Sequence, residues 1–232
     1  MSHQNFDHLV FDLDDTLLDT YGQLIPPASR EACSAMIEAG LATDVQSCLL
    51  ARDEIARTNG RADLYRNLVA RFGVRAGANE DQVASSGHRA FHERSVERDI
   101  TLFAGTRDML RDLRSRYRLY LVTAGAPGTQ QEKIDILKIE DSFDEVHIVN
   151  IMRGESKGQA FASILQNHGG EPDRYLSIGN RLDTDIAPAK RLGFKTCWVT
   201  YGEYAYTSPK DEFELPDYEV ADMEELIPTC RL

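Results

Sequence analysis

Apolar positions along this chain follow two different periods, and the switch between them divides it into parts. His8 to Leu13 is a short apolar run ending in acid, the pattern of a buried strand. From about Pro26 to Arg98 the period is helical, with candidate helices over 28–39, 44–58, 61–72 and 80–97. Gly40, Gly60 and Gly73 fall near the breaks, and no strand pattern interrupts the stretch. After Phe103 helix and strand alternate: helix 105–116, strand Leu119–Thr123, helix 128–138, strand Glu145–Val149, helix 157–167, strand Tyr175–Ile178, helix 184–192 and strand Lys195–Val199. Strands joined through helices of this length require right-handed crossovers and a parallel sheet covered on both faces. The tail, about 201–232, carries an edge-strand pattern at Asp217–Val220 and a short final helix. The expectation is an α/β core built from residues 1–20 and 99–232, with an all-helical insert at 21–98.

Charge sharpens that division. The formal net charge is −12, yet residues 21–98 hold ten acidic and ten basic side chains, so the α/β part carries all of the excess. Every basic residue of the insert is Arg, and the first Lys of the chain is Lys133. A chain this acidic is a poor ligand for nucleic acid or an anionic membrane. A small anionic substrate remains open to it, because a metal can reverse the sign of the local field. Cys33, Cys48, Cys197 and Cys230 are scattered without metal-ligand spacing and read as reduced thiols. The first residues lack a basic segment, and Asp12 breaks their apolar run, so neither a signal peptide nor a membrane span is expected. A soluble, cytoplasmic protein follows from this reading, with no indication of its oligomeric state.

The chemistry concentrates in VFDLDDTLLD, residues 10–19. Asp12, Asp14 and Asp15 would stand just beyond the carboxyl end of a strand, where parallel sheets bind ligands. Clustered carboxylates are costly unless they share a cation or a proton. Taken alone, the acids could cap a following helical turn. A calcium loop of the helix-loop-helix type fails, because Leu17 and Gln23 occupy the positions that need Gly and Glu.

An apolar strand followed by D-x-D-x-T resembles the first motif of the haloacid dehalogenase (HAD) superfamily, whose commonest members are phosphatases. Leu121-Val122-Thr123-Ala124-Gly125 is similar to its second motif, Lys157 in ESKGQAF to its third, and Ile178-Gly179-Asn180-Arg181-Leu182-Asp183-Thr184-Asp185 in part to its fourth. All four fall where the periodicity places a strand end or a helix start. The resemblance implies a Rossmann-like core, with the 21–98 insert as a type-one cap that closes over the site and chooses the leaving group. It implies that Asp12 attacks phosphorus and forms an aspartyl-phosphate, and that Asp14 protonates the leaving oxygen and then activates water. Thr123 and backbone N–H groups such as that of Ala124 would hold phosphate oxygens, and Lys157 would offset charge. Magnesium would bind Asp12, the backbone carbonyl of Asp14, Asn180 and Asp185, with Asp183 as a spare carboxylate or a helix N-cap.

Two departures from the family pattern stand out. Asn180 occupies a position usually held by Asp, which removes one negative charge and predicts weaker metal binding. Gly158 follows Lys157 where Pro is common, at a small cost in rigidity. The insert contains no Lys, which disfavours a phosphonoacetaldehyde hydrolase, and Asp14 argues against a dehalogenase. Of its arginines, Arg52, Arg57, Arg61 and Arg66 include candidates for contact with an anionic substrate, although most such side chains are solvated. His88 and His92 lie one helical turn apart, a spacing that suits a metal pair and equally a surface or packing pair. Tyr201, Tyr204 and Tyr206 could pack the tail or serve an oligomer contact. The leading expectation is a magnesium-dependent phosphatase of a small phosphorylated metabolite; a sugar phosphomutase and a non-catalytic binding module are the rivals.

Overall fold

A computed structural model describes residues 6–59, 63–92 and 99–232. Arg61, the Gly60 break and the 93–97 end of the fourth insert helix lie outside them. The chain divides into two compact units, one from residues 1–20 and 96–232, the other from 21–95.

In chain order, β1 (His8–Phe11) leads through the single turn α1 (Thr20–Gln23) to α2 (Ile25–Glu38), α3 (Val45–Asn59), α4 (Leu64–Phe72) and α5 (Glu80–His92). Then come α6 (Thr106–Arg114), β2 (Arg118–Ala124), α7 (Pro127–Leu137), β3 (Glu145–Val149), α8 (Lys157–His168) and β4 (Tyr175–Gly179). The chain closes with α9 (Ala187–Arg191), β5 (Lys195–Val199), β6 (Tyr218–Val220) and α10 (Leu226–Cys230).

The six strands form one sheet in the order β3-β2-β1-β4-β5-β6, parallel at every pairing. Strand order reverses beside β1, which creates the crevice where doubly wound sheets take their ligands. Register fixes what gathers there. Phe11 is level with Leu121 on β2 and with Ile178 on β4. The residues just beyond that level (Asp12, Thr123 and Asn180) therefore meet at one edge of the sheet. Central strands must be apolar on both faces. Accordingly Val10, Tyr120, Val122 and Tyr175 pack with Phe161 and Phe194 in one buried cluster, and Leu9, Phe11 and Leu121 are fully buried as well.

The helical unit has its own core. Met36, Leu41, Cys48, Leu68 and Val83, drawn from its helices and one connecting turn, are completely buried within one cluster. Gly40 ends α2 at φ +117°, a backbone conformation that a residue with a Cβ rarely adopts. All four cysteines are buried thiols. No described helix is long and apolar enough to cross a membrane.

The structure redraws one expected element. In place of a regular helix over 184–192, a wide π-helical turn runs from Leu182 to Ile186 before α9 begins. Local bonds hold that turn open: the Ser177 hydroxyl donates to the Asp185 carbonyl at 3.0 Å. The Arg181 N–H donates to the Asp185 carboxylate at 2.9 Å. Such turns recur at functional sites because they re-aim a side chain.

Candidate active site

Asp12 leaves β1 while still tied to the sheet, its N–H donating to the Ile178 carbonyl at 2.9 Å. The chain then turns sharply: the Leu17 and Leu18 N–H groups both bond the Leu13 carbonyl, and Asp15 adopts φ +56°. This turn ends β1 at Phe11 rather than Leu13. It also holds Asp12 and Asp14 at fixed positions on a short, buried segment.

Lys157 reaches the same place from the start of α8, between β3 and β4 in the chain. Ser156 and Gln159 form a capping box at the start of α8, each side chain bonding the other's backbone N–H. That box makes Lys157 the first residue of the helix. Its ammonium donates to Asp12 at 2.5 Å and to Asp185 at 2.6 Å, and all three side chains are nearly inaccessible. Burial opposes the charge on Lys157, but the two carboxylates outweigh it and hold the group protonated well above its ordinary range. The cluster nevertheless has one more carboxylate than ammonium. Burial pushes the Asp12 carboxyl up against the pull of Lys157, with Asp185 and Asp14 adding to the rise. The Thr16 hydroxyl donates to the second Asp12 oxygen at 3.3 Å.

Asp185 arrives by way of the π-helical turn, and the strand end beside it must be glycine. A Cβ on Gly179 would lie 2.5 Å from the Asp185 carboxyl group. Asn180 is 4% exposed, and its backbone carbonyl accepts from the Trp198 indole N–H at 2.9 Å. Asp183 is placed otherwise. Both its oxygens accept from the Arg181 guanidinium, at 2.7 and 3.0 Å, so Arg181 engages it rather than the lysine cluster.

Thr123 is completely buried on β2, and its hydroxyl has no hydrogen-bond partner among the described residues. An unmatched buried hydroxyl costs stability unless something else completes it. Ala124 ends the same strand, level with Val149. The Gly125 N–H is already committed to the Val149 carbonyl at 3.0 Å.

Asp14 has partners that the motif pattern does not announce. Lys133 donates to one of its oxygens at 2.6 Å, the Thr20 hydroxyl bonds the same oxygen, and the Gln130 amide donates to the other at 3.0 Å. Burial works to raise Asp14, but the Lys133 charge and these bonds prevail and hold its carboxyl below the usual range. Gln130 and Lys133 lie three residues apart on α7 and so share a face. That spacing was visible in the sequence, but nothing there pointed the face at Asp14.

The remaining candidates have ordinary partners. Arg52 pairs with Asp53 and Arg66 with Asp81, and Arg57 bonds the Asp53 carbonyl at 3.2 Å. The His88 and His92 rings are 4.4 Å apart. Among the described residues no group of three or more His, Cys, Asp or Glu side chains stands in metal-holding geometry. Tyr201 packs edge-on against Phe103 and donates to Asp19 at 2.9 Å. Tyr204 lies against Arg181, and Tyr206 is exposed.

Known proteins resemble this chain in sequence and in fold. A sequence model of haloacid dehalogenase-like hydrolases matches residues 6–193. The glyceraldehyde 3-phosphate phosphatase of Methanopyrus kandleri is 31% identical over 229 residues, 96% of each chain. That of Pyrococcus abyssi is 33% identical over 202 residues, 84% of this chain and 82% of its own. In fold, the magnesium-bound HAD-hydrolase YfnB of Bacillus subtilis superposes with a TM-score of 0.66 at 22% identity, covering 97% of this chain and 98% of its own.

Proposed function

The chain belongs to the haloacid dehalogenase-like hydrolases, and we propose that it is a magnesium-dependent phosphatase that hydrolyses a small phosphate monoester through a phosphoryl-Asp12 intermediate. The observation that carries the reading is the buried Asp12–Lys157–Asp185 bridge at the carboxyl edge of β1 and β4. An Asp12 oxygen attacks phosphorus as the bond to the leaving oxygen breaks, and Asp14 supplies the proton that oxygen takes up. Water then attacks the phosphoryl group, gives a proton to Asp14 and releases Asp12. Lys157 and the Thr123 hydroxyl hold the phosphoryl oxygens through both steps, a role that suits an ammonium and an unmatched hydroxyl. The helical insert, residues 21–98, acts as the cap domain in this reading.

Magnesium fits the donor set, which is made of oxygens: the Asp12 and Asp185 carboxylates, the Asn180 amide and the Asp14 backbone carbonyl would hold it. The unbalanced carboxylate beside Lys157 supports the same assignment. Bound there, the ion supplies positive charge to the phosphoryl oxygens. The purified protein is expected to release phosphate from p-nitrophenyl phosphate in the presence of magnesium, and Asp12→Asn is expected to abolish this. A panel of small phosphate monoesters, headed by glyceraldehyde 3-phosphate because of the relatives' names, would then rank substrates. No metal-dependent, Asp12-dependent turnover on any member would overturn the reading in favour of a binding module.

A further inference from the structure

Resting on the phosphatase reading, we propose that Lys133 and Gln130 form a positioning clamp that sets the direction in which Asp14 delivers its proton. The argument begins with counting. A carboxylate offers about four lone-pair sites for hydrogen bonds. One Asp14 oxygen accepts from both Lys133 and Thr20, which fills it, and the other accepts from Gln130. One lone-pair position, on the Gln130-bonded oxygen, is left over among the described residues. A proton carried there displaces none of the three contacts of the clamp, which favours the carboxylate through the Lys133 charge and still has room for the neutral acid. It therefore stays closed while the proton passes from Asp14 to the leaving oxygen, and again when water returns one.

The clamp is itself rigidly held. Lys133 is 6% exposed and Gln130 is 5% exposed, on the same face of α7. The Gln130 amide also donates to the Ala124 carbonyl at 3.3 Å, which ties it to the end of the strand that carries Thr123. A carboxylate can only accept, so the Gln130 nitrogen must be the atom that faces Asp14. The loop leaves room for that amide: a Cβ on Gly125 would lie 2.7 Å from its nitrogen. The strand-loop-helix unit from β2 to α7 thus does two jobs. Its strand end offers Thr123 to the phosphoryl group, and its helix aims the acid. Burying a lysine and an amide against one aspartate is costly, and neither residue is needed to hold phosphate in the proposed mechanism.

The test compares two substrates of similar shape, p-nitrophenyl phosphate and phenyl phosphate. The second has the more basic leaving oxygen and needs the acid more. Lys133→Met and Gln130→Met are each expected to lower kcat on phenyl phosphate by about 10- to 100-fold, a part of the roughly 10²- to 10⁴-fold that a general acid contributes. The loss on p-nitrophenyl phosphate should be clearly smaller, with KM little changed on either. Lys133→Arg should restore part of the loss. In an Asp14→Asn background neither clamp substitution should cost anything further, as expected of residues that act through one group. Equal losses on both substrates, or the same loss with Asp14 already replaced, would overturn the clamp. Thermal melts of each variant identify any that fails to fold, and Gln130→Met stands in for Lys133→Met in that event. Absence of turnover in the parent enzyme would instead sink the phosphatase reading, and the clamp with it.

Discussion

Of the side chains gathered beyond β1 and β4, only some were legible as a set. Asp12, Thr123 and Lys157 could be read from the sequence through the family motifs they resemble, which fall at strand ends and a helix start that register brings together. Lys133 could not, because none of those motifs includes it and its helix shows no distinctive pattern. Asp183 looked like a spare ligand, yet Arg181 two residues earlier takes both its oxygens. In the proposed magnesium site, Asn180 is the ligand whose lack of charge should matter most. Replacing it by Asp restores a carboxylate and adds one negative charge, so magnesium should half-saturate Asn180→Asp at a lower concentration than the parent. Trp198 is the only tryptophan of the chain and bonds the Asn180 carbonyl. Its fluorescence during a magnesium titration reports binding without any need for turnover. Identical titrations for the two proteins would refute the role given to Asn180.

Strands and crossover helices were legible because a parallel sheet demands apolar runs of limited length separated by helical periods. Glu145–Val149 and Lys195–Val199 have the limits the pattern predicted. The π-helical turn was not legible, since its cause is three-dimensional: Ser177 on β4 bonds the Asp185 carbonyl across the turn. Gly179 is the element's weak point. Ala at this position places a methyl group 2.5 Å from the Asp185 carboxyl, and the turn must shift to admit it. Gly179→Ala is expected to destabilise the protein by about 1–3 kcal/mol, the usual cost of overpacking, and to weaken the Lys157–Asp185 contact. Denaturant unfolding measures the first effect and the magnesium titration the second. A variant with unchanged midpoint and unchanged titration would show that the turn gives way freely.

Charge is the property that most distinguishes the molecule as a whole. The insert is balanced, so the net charge of −12 is concentrated in the remainder of the chain. Self-repulsion of this kind loosens a compact state. Salt screens it over about 8 Å at physiological ionic strength, while exposed ion pairs such as Arg111–Asp108 contribute roughly 0–1 kcal/mol each and offer little to lose. The melting temperature should therefore rise between low and high sodium chloride. A flat or falling trend would mean that specific pairs, rather than net charge, govern stability. The helical character of the insert was legible from its period and its glycine breaks. Which metabolite the enzyme accepts was not, because its arginines carry no pattern that names a ligand.

The central claim is that Asp12 becomes phosphorylated, and rapid-quench labelling tests it most directly. Mixing the protein with magnesium and p-nitrophenyl phosphate, quenching in acid and mapping the modified peptide should place a phosphoryl group on Asp12. The adduct should form before steady release of phosphate and be absent from Asp12→Asn. Turnover that proceeds with no covalent phosphoryl group at Asp12, or that survives its replacement by Asn, would contradict the account.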